Sequence, residues 1–192
     1  NVVLELSNIS MKGETQAASL KNINFKVRCG EIIGIAGVDG NGQKELSEVI
    51  AGISMPDTGA IYFGGEDVTS EKVRSRSEKW LSYVPADRRE EGLTLDLKLY
   101  ENAVLTQYYH EPFSRRGILR PREMRKRTAE YIEDFSIKAP GTDIQARSLS
   151  GGNQQKLVLA REIQKKPDIL LIVQPTWGLD IGACAFVYQK IL

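Results

Sequence analysis

The chain is poor in several features that would narrow its chemistry. It holds two cysteines in 192 residues, Cys29 and Cys184, far apart and without a CxxC or metal-ligand spacing. That excludes a disulfide framework and predicts two free thiols in a reducing compartment. The single histidine, His110, reads as a solvated surface residue. No apolar run approaches roughly 18 residues, so a helical membrane span is not expected and any membrane role must be peripheral. Excess charge of one sign is also missing: 26 Lys and Arg stand against 25 Asp and Glu, a formal charge of +1. There is thus no global electrostatic case for nucleic acid or for an acidic partner. Residues 1–6 alternate as a strand does, unlike a signal peptide.

What is present suits a folded α/β chain of one domain, or one domain with an inserted lobe, at 41% hydrophobic and 27% charged residues. The first residue is Asn1, and Ile191-Leu192 fall inside an apolar helical pattern, which predicts a segment cut from a longer protein. Residues 1–10 and 20–28 read as half-buried strands, and Ile32-Ile33-Gly34-Ile35-Ala36 as a fully buried one. A helix after Gly42 carries Leu46, Val49 and Ile50 at helical spacing and stops at Gly52. Further strands are expected at 61–63, 80–84 and 169–173, with helical patterns at 100–109, 122–135 and 151–165. The order of strands and crossover helices suits a mostly parallel sheet preceded by antiparallel strands. The expected division is 1–87 as the first part of the core, 88–145 as an inserted helical subdomain, and 146–192 as the second part of the core.

Gly37-Val38-Asp39-Gly40-Asn41-Gly42 lies between an expected strand and a helix start. That is the setting in which small residues let backbone N–H groups converge on phosphates at the positive end of a helix. The phosphate-loop pattern G-x-x-x-x-G-K-[ST] asks for Lys and then Ser or Thr, whereas this chain has Gln43, Lys44 and Glu45. Losing a lysine that makes charge-assisted bonds to phosphate removes roughly 1.5–3 kcal/mol, about one to two decades of affinity. Nucleotide-binding candidates are therefore Gly37, Val38, Asp39, Gly40, Asn41, Gly42, Gln43, Lys44 and Glu45, in a weakened site.

In phosphate-loop ATPases the partnering strand ends in an Asp that holds Mg2+, often followed by a Glu that orients the attacking water. Val173 and Gln174 occupy those places. Valine cannot engage a hydrated cation, and glutamine can hold a water without taking its proton. Gln174 is the degenerate candidate at the catalytic position, and no metal ligand is assigned to this chain.

Leu149-Ser150-Gly151-Gly152-Asn153-Gln154-Gln155 opens an amphipathic helix, and nothing in core packing calls for two consecutive glycines there. Free N–H groups and a hydroxyl at a helix start make an anion site. With its following asparagine and glutamines this stretch resembles the signature motif of ATP-binding cassette (ABC) ATPases. Pro175-Thr176-Trp177-Gly178-Leu179-Asp180 resembles their D-loop. Four more stretches resemble the second, degenerate cassette of tandem sugar and nucleoside importers: Gly37 to Gln43, Val84-Pro85-Ala86-Asp87-Arg88, Gly92 to Asp96 with Glu101-Asn102, and Gln174-Pro175-Thr176. Residues 108–114 and Arg147-Ser148-Leu149 look most like the nucleoside members, whose permeases pair with lipoprotein receptors. Lys44 stands where relatives have a small hydroxyl residue, Ala86 where they have Glu, and Trp177 where they have Arg.

The resemblance implies an ABC-type phosphate-loop fold cut short after the D-loop, on the cytoplasmic face of the cell membrane. In that family the signature of one cassette closes over ATP held by another. The implied cofactors are ATP and Mg2+, mainly at the partner's site. The trans-acting residues would be Leu149, Ser150, Gly151, Gly152, Asn153 and Gln154, with Gly178, Leu179 and Asp180 in the D-loop. Implied partners are a second cassette, expected in the N-terminal half of the same polypeptide, transmembrane permease subunits and, indirectly, a substrate-binding lipoprotein. Nucleic acid is not among them. The isolated segment would be nearly inactive as an ATPase. The alternative is a non-hydrolysing nucleotide-binding regulatory module. Arg115, Arg116, Arg120, Arg122, Arg125, Lys126 and Arg127 read as a solvated basic face of the helical lobe, with lipid headgroups or permease loops as the sharper option.

Overall fold

The computed structural model describes residues 1–191, and two compact units emerge from it: residues 1–83 with 167–173, and a second from Val84 to Lys166 and again from Gln174 onward. Helix 151–163 falls within the second of these units.

The first unit is built on β1 (Val2–Met11), β2 (Leu20–Arg28), β3 (Thr58–Phe63) and β4 (Glu66–Asp67), paired in the order β2-β1-β3-β4 with every pairing antiparallel. Period-two alternation puts Leu4 and Leu6 on the buried face of β1. The register then shifts between Leu6 and Ile9, with Asn8 at φ 54°. This bulge resets the alternation, so Ile9 and not Asn8 enters the core. Helix α1 (Gln43–Ala51) lays Leu46, Val49 and Ile50 onto Leu4, Leu6, Ile9, Ile61 and Phe63. It ends at Gly52, whose left-handed backbone returns its N–H to Glu48 and Val49.

Helix α2 (Val73–Lys79) contributes the least anticipated element of this core, a fully buried arginine. The Arg76 guanidinium donates to the carbonyls of Val49, Ile50, Val68, Thr69 and Glu71 at 2.7–3.0 Å. One cation thus satisfies the open C-terminal carbonyls of α1 and the 68–71 turn together. Burial holds its pKa below the ordinary arginine value.

Strands β5 (Leu81–Val84) and β8 (Ile169–Ile172) pair as a separate two-stranded sheet. The expected buried strand at 32–36 is not formed. Residues 31–38 have no ladder partner, and Ile32, Ile33, Ile35 and Val38 are 68%, 41%, 53% and 75% exposed. An apolar run becomes a buried strand only between neighbours that accept its N–H and C=O groups. Of the central sheet expected from these strands, the β5–β8 pair is what is present among the described residues.

The second unit opens with a π-helical turn at Arg88–Gly92, followed by α3 (Leu99–Ala103), the short hairpin β6 (Ser114–Arg115) and β7 (Ile118–Leu119), and α4 (Pro121–Asp134). The helix expected over 100–109 stops at Ala103. Val104, Thr106 and the Tyr108-Tyr109 pair are β-branched or aromatic residues that favour helix weakly, and turns replace it. Helix α4 begins with Pro121 at its first turn and buries Met124, Thr128 and Tyr131. Helix α5 (Gly151–Ile163) buries Leu157, Val158, Leu159 and Ala160, so it is covered nearly all round instead of on one stripe. Buried Asn102 fixes the 94–98 segment, accepting from the Thr94 N–H and donating to the carbonyls of Thr94, Leu97 and Lys98. Its own carbonyl takes a bond from Arg161 of α5. Helix α6 (Ile181–Ile191) closes the unit.

Candidate functional site

The glycine loop belongs to the first unit, and its backbone has the bent form its composition predicts. Gly40 and Gly42 sit at φ 82° and 92°, conformations costly for any residue with a Cβ, and the Asn41 N–H turns back to Val38. Gly42 is the N-cap of α1 and brings no side chain to the first-turn N–H groups. What lies across the loop is Gln43. Its Nε2 donates to the Val38 carbonyl at 3.1 Å and lies 2.2 Å from where a Cβ on Gly37 would be. The residue at the lysine position therefore bridges its own loop.

Lys44 offers no substitute cation. Its side chain is 71% exposed and its Nζ faces Glu48 one turn along α1 at 3.7 Å. An ammonium at that place also cannot ligate Mg2+ as a hydroxyl does, and Val173 supplies no oxygen at the end of β8. Among the described residues no three His, Cys, Asp or Glu side chains are grouped to hold a metal. The residues at this loop do not fit Mg2+.

The remaining candidates lie in the second unit, where the Ser150 turn, the 176–180 loop and the 87–92 turn converge. Ser150 is the exposed N-cap of α5, and its Oγ accepts from Asn153 Nδ2 at 2.8 Å instead of capping the helix. Asn153 Oδ1 in turn accepts the Lys138 N–H. Leu149 is buried and anchors the turn. Gln154 is fully buried: its amide donates to the Ala146 carbonyl and its Oε1 accepts from Arg89 at 3.3 Å. Gly151 and Gly152 leave the first-turn N–H groups free of side chains. Polar residues at this helix start thus satisfy one another or the chain behind, and no side chain caps the first-turn N–H groups at Gly151 and Gly152, the groups an anion site would use.

The 176–180 loop leads into α6, and Asp180 caps that helix by accepting the Ala183 N–H at 2.9 Å. Gln174 stands at its entrance with φ 44°, a left-handed conformation uncommon for a residue of its type, and its side chain is exposed. Gly178 lies beside Arg88, whose guanidinium also faces Gly151. No motif chemistry in the sequence singles out Arg88 for this place. Its signal was only its place after Val84-Pro85-Ala86-Asp87. His110 lines a small surface cleft with Arg127, Tyr131 and Lys165.

Residues 20–176 match the ABC transporter family. The chain belongs to that family.

Among curated ABC proteins it is 39% identical over 192 residues to the nucleoside import ATP-binding protein NupA of Lactococcus lactis, covering 100% of this chain and 38% of that protein. It is 40% identical over 190 residues to the guanosine import ATP-binding protein NupO of Bacillus subtilis, covering 99% and 37%. The glucose import ATP-binding protein TsgD13 of Haloferax volcanii is 40% identical over 192 residues, with 99% and 35% covered. The chain thus spans little more than a third of the length of these relatives. A solved ATP-binding cassette, in a dimeric post-hydrolysis state bound to ADP and Pi, superposes with a TM-score of 0.79 at 26% identity, covering 98% of this chain and 81% of that one. The ABC-type α/β fold follows from this likeness. No helix among the described residues is long and apolar enough to cross a membrane.

Proposed function

We propose that this chain is the energy-coupling cassette of an importer for nucleosides or sugars, and that it acts through its signature on ATP seated in a companion cassette. Its own loop is filled by Gln43 and holds nucleotide weakly. One contrast carries the reading: Gln43 bridges the loop that should cradle phosphate, while the helix start of α5 at Gly151 and Gly152 has no side-chain cap on its N–H groups. The relatives named for nucleoside, guanosine and glucose import support the cargo class. Their greater length leaves room for a companion cassette in the same polypeptide.

In this arrangement the chain's residues bind and orient; they do not take protons. Gly151 and Gly152 N–H groups and the Ser150 hydroxyl would face the terminal phosphates, favoured by the positive end of α5. Leu149 and Gln154 hold that turn rigid from behind. Gly178, Leu179 and Asp180 form the adjoining wall, with Asp180 fixed as a helix cap. Gln174 could orient a water by hydrogen bonding, and its amide has no basicity with which to activate it. Mg2+ would be held by the companion, together with the phosphate lysine that this chain lacks. Permease subunits and, through them, a substrate-binding protein complete the assembly, with the cassette peripheral on the cytoplasmic face.

The test is steady-state ATP turnover by the full-length protein. Ser150→Arg places a long cation in the helix start and is expected to lower kcat by about a hundredfold or more. Turnover at the unsubstituted rate would instead favour a nucleotide-binding regulatory module.

A further inference from the structure

We propose that Arg88 is a positioning residue that locks the signature turn and the 176–180 loop into one register. The proposal rests on the reading that the signature acts on a companion's nucleotide. Arg88 comes after β5 and the Pro85-Ala86-Asp87 link and starts the π-helical turn. Asp87 fixes that turn, because its carboxylate accepts the backbone N–H groups of Arg89 and Glu90 at 2.8 and 3.1 Å. From this anchored backbone the Arg88 side chain reaches across 89 residues of sequence and donates from Nη1 to the Trp177 carbonyl at 2.9 Å.

The same guanidinium lies in the notch left by Gly151. Its Nη2 is 2.6 Å from where a Cβ on Gly151 would be, closer than side chains approach, and 3.6 Å from the corresponding point on Gly178. One planar fork therefore touches the first residue of α5 and the middle of the 176–180 loop together. Its neighbour Arg89 holds the same helix start through Gln154. The N-terminal end of a helix carries partial positive charge, so α5 itself does not attract a cation to this place. Packing alone would be better served by a neutral side chain. A tie between two loops gives the charge a use: the donor that fixes Trp177 is the group that fills the Gly151 notch. Any shift of the 87–92 turn then moves both loops at once. A glycine is required at 151 for a second reason besides exposing its N–H, which is that the arginine needs the space.

The decisive experiment is a double-mutant cycle in the full-length protein with ATP turnover and amide hydrogen exchange as readouts. Arg88→Met is expected to lower kcat about tenfold, with KM for ATP within about twofold, and to speed exchange in the peptide 175–184. Arg88→Lys, which can still donate to the carbonyl but cannot fill the notch, should recover only part of the rate. Gly151→Ala should displace the guanidinium and raise exchange in the same peptide. The pair Arg88→Met with Gly151→Ala should be no worse in exchange than Arg88→Met alone. Independent, additive effects on exchange would overturn the proposal, as would wild-type kcat and exchange in Arg88→Met. If Ser150→Arg leaves turnover intact while Arg88→Met still loosens 175–184, the companion reading fails and the tie stands.

Discussion

The side-chain amide of Gln43 lies across the glycine loop, 3.1 Å from the carbonyl oxygen of Val38 and against the bare Cα of Gly37. A lysine in its place would point a cation at bound phosphate, whereas the glutamine closes the loop upon itself. Replacing Gln43 with Lys is therefore expected to tighten ATP binding at this loop by roughly tenfold or more. Equilibrium titration of the full-length protein, with the phosphate lysine of the proposed companion loop substituted, measures the change. An unaltered dissociation constant would show that the bridge is not what weakens the loop.

Arg76 should dominate the stability of the first unit. Arg76→Met removes the guanidinium donor from the carbonyls of Val49, Ile50, Val68, Thr69 and Glu71; Val49 and Val68 keep the Gly52 and Glu71 N–H groups, and each buried carbonyl left without a donor costs about 1–3 kcal/mol. A loss of about 3 kcal/mol or more is expected, visible as a lower urea midpoint. Arg76→Lys should recover little of it, since one ammonium cannot span both the end of α1 and the 68–71 turn.

How much of this could be read in advance depended on whether a feature was local. The signature turn, the start and stop of α1, and α4 with its leading Pro121 are written in neighbouring residues, and the structure places them within a residue or two of expectation. The 32–36 strand has equally strong local character, yet its pairing depends on a ladder that the described residues do not supply. Arg76, Arg88 and Asn102 were illegible for another reason. Arg76 and Asn102 are buried and Arg88 is half-buried, each with partners between roughly five and ninety positions away, and a lone arginine in a polar stretch gives no sign of which carbonyls it will meet. Helix 181–191 was foreshadowed only by an apolar pattern at its end, and its cap, Asp180, was assigned solely to the D-loop.

That cap makes a separable prediction. Asp180→Ala should weaken the first turn of α6 by about 1 kcal/mol and speed exchange of its amides, while Asp180→Asn should preserve both. Equal exchange in all three proteins would show that the cap contributes nothing.

The pH dependence of the second unit should carry a mark of Asp143. Bidentate bonds from Arg125, then Thr142 and Lys98, hold its carboxyl below the ordinary 3.8, at about 2. A depressed native pKa means the contribution is complete above the unfolded value and declines as pH falls from about 3.8 through about 2. Asp143→Asn should thus be less stable than the unsubstituted protein at neutral pH, and the two should converge near pH 2. The group is solvent-exposed, so added salt should shrink the gap. Urea midpoints across pH 2 to pH 7 would test this, and a gap that widens on acidification would contradict it.

The proposed importer role turns on which side of the nucleotide this chain occupies, and cargo uptake with the full-length protein carrying Gly151→Asp or Gln43→Ala is the most direct measurement of it. A carboxylate at the start of α5 should repel the companion's phosphates and abolish uptake, while Gln43→Ala should leave uptake close to the unsubstituted level. Equal impairment by the two substitutions, or uptake that survives Gly151→Asp, would contradict the account.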